Sequence, residues 1–261
     1  GQEALILAGA GQDYVLAGQD LKETFGGEGN DFINAGDGSN IVFGGEGDDW
    51  IEGGAGADLL QGDNGAPFQD STIIGNDVIM GGGGNDDYDA ESGDDILVAD
   101  PGITRHEGML GFDWVTHARD GLAADSDFAF TGLLLPAIEN NRDRFDQVEG
   151  LSGWQFDDTL RGDNVDAAAF AGHELRNFDL IDGLRDDGTN PDAIFAQGTT
   201  EFIGGNIILG GGGSDLIEGR GGDDVIDGDR WLNVRIAITD EGGAEIATAE
   251  GLGGVVRDGA G

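Results

Sequence analysis

Apolar and polar residues alternate along this chain with a period of nine, a polar, glycine-rich head of six residues preceding an apolar-containing tail of three. Residues 26–34 read GGEGNDFIN, residues 44–52 GGEGDDWIE and residues 53–61 GGAGADLLQ. The register holds in AGAGQDYVL at 8–16, AGDGSNIVF at 35–43, GGGGNDDYD at 81–89 and AESGDDILV at 90–98. It returns in GGNIIL at 204–209, GGGGSDLIE at 210–218 and GRGGDDVID at 219–227. This period is not that of an amphipathic helix, and a three-residue tail predicts a short strand. In such a strand the eighth residue of each repeat points opposite to its two neighbours. Val15, Ile33, Val42, Ile51, Leu60, Ile79, Leu97, Ile208, Ile217 and Ile226 are therefore expected to stack into a thin core.

The head carries the chemistry. Glycine at its first, second and fourth positions permits backbone conformations closed to other residues and lets carbonyl oxygens turn toward a common point. Aspartate at the sixth position adds a hard anionic oxygen, and Ca²⁺ takes roughly six to eight such oxygens from carboxylates and carbonyls. The segments follow GGxGxDxUx, with U a large apolar residue, and the sequence resembles the RTX, or hemolysin-type calcium-binding, repeat family. The resemblance implies an all-β fold, a right-handed parallel β-roll (β-solenoid) in which two nonapeptides make one coil. Each ion would then sit between turns two repeats apart. On that rule Asp31 pairs with Asp49, Asn40 with Asp58, Asp49 with Asp77, Asp58 with Asp86, Asp77 with Asp95, and Asn206 with Asp224. Asp215 would face the terminal turn at Gly228 and Asp229. The backbone ligands would come from Gly26, Gly27, Glu28, Gly29, Gly44, Gly45, Glu46, Gly47, Gly53, Gly54, Ala55, Gly56, Gly81, Gly82, Gly84, Gly210, Gly211, Gly213, Gly219 and Gly222. Counting ligands gives about seven to ten ions, with dissociation constants on the order of 10⁻⁴ to 10⁻³ M for sites of extracellular type.

Several stretches depart from the pattern. One repeat, at 62–80, is stretched by the ten residues GAPFQDSTII. Residues 17–25, AGQDLKETF, place Lys22 at the sixth position and Thr24 at the eighth, which predicts a turn without metal. Tyr88 stands where an aliphatic is usual, suggesting a wider coil or contact with a neighbouring region. The chain divides into a first block at 1–98, an irregular region at 99–200, a second block at 201–230 and a C-terminal cap at 231–261. In the irregular region GFDWVT, FDDTLR and NFDLID each end like a repeat, making Asp113, Asp158 and Asp179 weaker candidate ligands alongside Asp13 and Asp229. Short helical pieces are expected in VDAAAFAGHELRNF and PDAIFAQ, and two strands in WLNVRIAITDEGGAEIATA, which would cap the open end of the roll.

Composition changes the picture in one respect. Asp plus Glu number 53 against 12 Lys plus Arg, for a net charge of -41, with 52 glycines. Such a chain repels itself and would read as disordered unless bound cations offset the charge, so folding and calcium binding are expected to be one event. The charge disfavours nucleic acid and unaided binding to an anionic membrane, and no run is apolar and long enough for a transmembrane segment. Cysteine is absent, which removes disulfides and thiolate metal sites. The chain carries neither HExxH nor GxSxG, and no catalytic residue is assigned. His106, His117 and His173 match no metal-ligand spacing and read as surface or packing residues. The chain starts at Gly1 without a signal-like segment and reads as a piece of a longer protein. Family resemblance implies export from a Gram-negative bacterium by type I secretion machinery, with folding outside the cell. A narrower resemblance, in LSGWQFDDTLRGDN and GDDVIDGDRWLNVRI, is to RTX regions of large secreted proteins with animal-type haem peroxidase domains. The competing expectation is an adhesive or glycan-binding module whose recognition surface is the irregular region, with Trp114 and Trp154 contributing.

Overall fold

The computed structural model describes residues 4–64, 75–132, 142–165, 169 and 171–255; the ten inserted residues 65–74 lie outside the described residues. The first strands are β1 (Ala4–Ala10), β2 (Tyr14–Leu16), β3 (Lys22–Glu28), β4 (Phe32–Asn34), β5 (Ile41–Glu46), β6 (Trp50–Ala55) and β7 (Leu59–Gln61). They are followed by β8 (Val78–Gly83), β9 (Asp87–Asp89), β10 (Ile96–Val98), β11 (Arg105–Glu107), β12 (Trp114–Thr116), β13 (Asp125–Asp127) and β14 (Arg144–Asp146). The last are β15 (Gly150–Ser152), β16 (Thr159–Arg161), β17 (Ile207–Leu209), β18 (Leu216–Glu218), β19 (Val225–Asp227), β20 (Ile236–Thr239) and β21 (Glu245–Ala249).

Successive strands alternate between sheets, as short strands joined by tight glycine turns require. One sheet has the order β1-β3-β5-β7-β9-β11-β14, and the facing one β19-β17-β15-β12-β10-β8-β6-β4-β2. The order β13-β16-β18 forms a third sheet. It adjoins the first through β14, whose Phe145 N–H donates to the Phe130 carbonyl at 2.8 Å. Pairing in these three sheets is parallel, with Phe32 opposite Trp50 and Trp50 opposite Val78. One coil is thus 18 residues in the regular stretches, 28 across the stretched repeat and longer where the irregular region is inserted, as between Trp114 and Gly150. The chain is an all-β parallel β-roll, and its nine-stranded sheet runs unbroken from residue 14 to residue 227.

Eighth-position residues do fill the interior. Ile33, Val42, Ile51, Leu60, Ile79, Leu97, Leu151, Leu160 and Ile208 are fully buried. The two ends behave differently, because an end coil has a neighbour on one side only: Val15 and Ile217 are partly buried, and Ile226 is exposed. Where the sequence supplies larger eighth residues, the coil takes them inside. Tyr88 meets His106 edge-on at 5.1 Å, and His106 stacks on Phe145 at 5.3 Å.

A second core covers the outer face of the nine-stranded sheet. There the seventh and ninth residues turn apolar, as in Ile96, Val98, Trp114, Ile207 and Leu209. Leu175, Phe178 and Leu184 from the irregular region lie over them, with Leu232, Ile236, Ala249 and Leu252 from the C-terminal segment. That segment forms an antiparallel pair, β20 with β21. It is tied to the sheet by Thr116 Oγ1 donating to the Leu232 carbonyl and by the Leu252 N–H donating to Glu52 Oε1, both at 2.7 Å. The described C-terminal strands therefore lie over a face of the roll, and Ile226 in the last coil is exposed among the described residues. The helical expectation is corrected: no α-helix occurs among the described residues, and PDAIFAQ forms turns with a bridge between Phe195 and Arg185. The segment is too short, and too heavily flanked by Asp, Asn and Gly, to nucleate a helix. Part of the other helical candidate, at 166–168 and 170, lies outside the described residues. NFDLID forms no strand either; its Phe178 packs in the outer core instead.

Candidate metal centres in the turns

The glycine-rich heads stack along two edges of the roll. On the first edge the sixth-position residues are Asp13, Asp31, Asp49, Asp77, Asp95 and Asp113 in consecutive coils, each just before a strand of the nine-stranded sheet. Each backbone N–H donates to the carboxylate of the next coil: Asp13 to Asp31 at 2.8 Å, Asp31 to Asp49 at 2.7 Å, Asp49 to Asp77 at 2.8 Å, Asp77 to Asp95 at 2.7 Å and Asp95 to Asp113 at 2.9 Å. On the second edge the Asn40 N–H donates to Asp58 at 2.6 Å and Asp58 to Asp86 at 2.8 Å. The pairs expected from two-repeat spacing are therefore vertical neighbours. Asn206 N–H meets Asp224 at 2.7 Å in the same way.

These bonds use one carboxylate oxygen, Oδ1, and leave the other. The Oδ2 atoms of Asp31, Asp49, Asp58, Asp77, Asp86, Asp95 and Asp113 are buried without a hydrogen-bond partner. An ionised carboxylate oxygen in that state is costly unless a cation meets it. Beside each of them except Asp95, whose repeat opens on Ala90, lies a first-position glycine with no room for a side chain. A β-carbon on Gly53 would lie 2.5 Å from Asp58 Oδ2 and 2.9 Å from the Gly81 carbonyl of the next coil. A β-carbon on Gly26 would overlap Asp31 Oδ2 and the Gly44 carbonyl. Gly27 and Gly29, at the second and fourth positions, take φ of 121° and 116°, which L side chains avoid.

Burial dominates the electrostatics. Desolvation pushes Asp49 up to about 8 and Asp58 to about 6, outweighing the N–H bonds that lower them. Asp77, Asp95 and Asp113 are held well above the usual carboxylate range, first by burial and then by neighbouring carboxylates. Among the described residues no three His, Cys, Asp or Glu side chains gather as a metal site. The available donors are single carboxylates and main-chain carbonyls, an all-oxygen set suited to a hard cation such as Ca²⁺ rather than to zinc.

The irregular region continues both edges. Ala124 N–H donates to Asp158 Oδ1 at 2.8 Å, and Asp158 N–H to Asp215 Oδ1 at 2.9 Å. Thr104 N–H meets Asp143 at 2.9 Å, and Asp113 N–H meets Glu149 Oε2 at 3.0 Å. Asp143 and Glu149 were not anticipated. The run Asp143-Arg144-Phe145-Asp146 does hold an Asp before an apolar eighth residue, but no glycine head announces it. Glu149 is concealed because a Glu stands at the sixth position and a Gly at the seventh. His173 Nδ1 lies 3.2 Å from Glu149 Oε1, and that contact raises the imidazole. Asp163 and the buried Asp63 follow Gly162 and Gly62 in two GDN runs, each opening an insertion. Asp63 accepts from Ser92 Oγ at 2.9 Å, and burial raises it to about 6. Asp179 lies on neither edge; it is exposed and pairs with Arg185 at 2.7 Å. Asp229 donates its N–H to Asp227 Oδ1 at 3.0 Å beyond the last coil. The outer, fifth positions carry a further ladder that the sequence did not suggest: Asn76 N–H donates to Asp48 Oδ1 at 2.9 Å and Asp94 N–H to Asn76 Oδ1 at 3.0 Å.

Parallel coils with a stacked aliphatic interior, glycine turns and inward carboxylates define a calcium-binding β-roll. The particular repeat is the RTX calcium-binding nonapeptide repeat, whose family model matches four copies, at residues 25–60, 43–66, 74–97 and 202–230. No curated protein and no solved structure matches the chain. The repeat is a structural calcium-binding module, and the edge ladders extend into residues 98–201, which no copy covers, through Asp143, Glu149 and Asp158.

Proposed function

We propose that the two edges hold a row of calcium ions whose binding folds this module outside the cell and supports the secretion and stability of a larger protein. The observation that carries this reading is the series of buried, unpartnered Oδ2 atoms, all but that of Asp95 set against a glycine and most beside a carbonyl of the next coil. Asp31, Asp49, Asp58, Asp77, Asp86 and Asp95 would supply the carboxylates, with Asp113, Asp158, Asp215 and Asp224 continuing the rows. Main-chain carbonyls of the flanking heads would complete each shell. The bound ions would neutralise carboxylates that otherwise repel one another through burial and proximity. Under this reading 1–98 and 201–230 are repeat blocks of one roll, 99–200 contributes insertion-bearing coils, and 231–261 shields a face.

A low-calcium cytosol would leave such sites empty and the chain export-competent, and millimolar calcium outside would fill them. Among the described residues no helix is long and apolar enough to cross a membrane. Nothing in the described residues favours a haem-peroxidase parent over another secreted protein. Calorimetric titration tests the assignment: calcium should bind at several sites with β-structure forming in step, and magnesium should substitute poorly because it demands tighter octahedral geometry. Equal heat and equal structure with magnesium, or no uptake of calcium, would overturn it.

A second reading, ligand recognition, is favoured by a cavity of about 250 Å³ between the sheet face and the C-terminal segment. Trp114, Leu184, Trp231 and Leu232 wall it, with Asp182 and Arg230 among its polar residues. A glycan array that stays blank with the calcium-loaded protein would remove carbohydrate from this reading.

A further inference from the structure

We propose that the ammonium group of Lys22 occupies a cation position of the roll, so that the first turn on the second edge carries its own cation and excludes calcium. Lys22 stands at the sixth position, where the neighbouring coils place Asn40 and then Asp58. Its side chain turns inward and the residue is only 4% exposed, although a lysine on a surface turn could reach water at little cost. Nζ donates to the carbonyls of Gly18 and Asp20 within its own turn and reaches the Asp37 carbonyl of the next coil at 3.5 Å.

The next coil shows what that space is. Asn40 Nδ2 donates to Gly36 O at 3.1 Å, Gly38 O at 3.0 Å and Gly53 O at 3.2 Å. Gly36 and Gly38 hold the second and fourth positions of their head, as Gly18 and Asp20 do of theirs. One coil further on, Asp58 instead leaves Oδ2 buried and unpartnered near the Gly81 carbonyl. Along one edge the same oxygen-lined space is thus met by an ammonium, a carboxamide and a carboxylate. The lysine supplies positive charge where no carboxylate is present to hold a metal, and its charge opposes entry of a divalent ion. Lys22 is therefore a residue that sets which turns take metal.

The inference rests on the calcium reading of the turns, and the experiment separates the two. Calcium stoichiometry is measured by calorimetry on the full chain as wild type, Lys22→Asp and Lys22→Met, with circular dichroism reporting the folded fraction. Lys22→Asp should bind one ion more than wild type. Lys22→Met should bind the same number but need several-fold more calcium to fold, because the carbonyls lose their cation without gaining a carboxylate. A Lys22→Asp protein that reaches the calcium-loaded spectrum with unchanged stoichiometry overturns the proposal. If that variant does not fold, an unchanged calcium midpoint in Lys22→Met overturns it. Wild type that binds no calcium would instead overturn the metal reading itself.

Discussion

A sixth-position Asp in this roll has two unequal oxygens. Oδ1 accepts the N–H of the preceding coil and fixes the side chain, while Oδ2 is left buried and aimed at the space beside a glycine. The same logic explains why a polar residue can sit in the apolar interior at a cost. His106 takes an eighth position, fully buried between Tyr88 and Phe145, and neither ring nitrogen has a hydrogen-bond partner. Burial, and secondarily the charge of His117, lowers it to about 3. Below the unfolded value, protons bind the unfolded chain preferentially, so this residue's contribution to stability is present above about pH 6.5 and falls away toward pH 3. Replacing it with an apolar ring removes two unsatisfied nitrogens. His106→Phe should stabilise the calcium-loaded protein by ~1 kcal/mol, more at pH 5 than at pH 7, as read from the calcium-loaded thermal midpoint. A loss of stability at pH 5 would contradict this.

At the scale of the strand, three residues are enough because the roll packs each tail from two sides. The eighth residue faces the interior, and the seventh and ninth face outward to solvent or to the second core. Trp114 belongs to that second core, 1% exposed and 5.6 Å from the Phe112 ring. Trp114→Ala should cost about 3 to 5 kcal/mol, the usual range for a buried aromatic, in urea unfolding of the calcium-loaded protein. A cost below ~1 kcal/mol would mean that the outer layer is not tightly packed. The strands and the inner stack were legible from the nine-residue period, since one phase places a large apolar residue at position eight of nearly every repeat. The outer core was not. Its partners, Phe178, Leu184, Leu232 and Leu252, lie far along the chain without a periodic signature. Glu149 and Asp143 were missed for a related reason: their coils keep the hydrogen-bond register after losing the glycine heads that make the register visible. Lys22 was legible as a break in the metal pattern, whereas its inward turn onto carbonyls depends on how the coils stack and leaves no mark in the repeat.

Across the whole molecule, the net charge of -41 and the buried carboxylate rows set the conditions for folding. Without metal, Asp49 is raised to about 8, Glu91 to about 7 and Asp58 and Asp63 to about 6, each chiefly by desolvation. Because folded values lie above unfolded ones, the folded state binds more protons in this range. The stability they contribute is fully present below about pH 4 and is lost as pH rises through 6 to 8. In chelator, β-structure measured by circular dichroism should therefore increase when pH falls from 8 to 5. With saturating calcium the dependence should reverse over the same interval, as protons compete with ions for the carboxylates. An identical pH profile in both conditions would contradict this account.

The central claim is that the ions and the fold are one equilibrium, and small-angle X-ray scattering across a calcium titration tests it most directly. With millimolar calcium the chain should be compact, with a radius of gyration of about 20 Å; in chelator at pH 8 it should expand toward about 50 Å. A compact chain of the same dimensions in chelator would contradict the account.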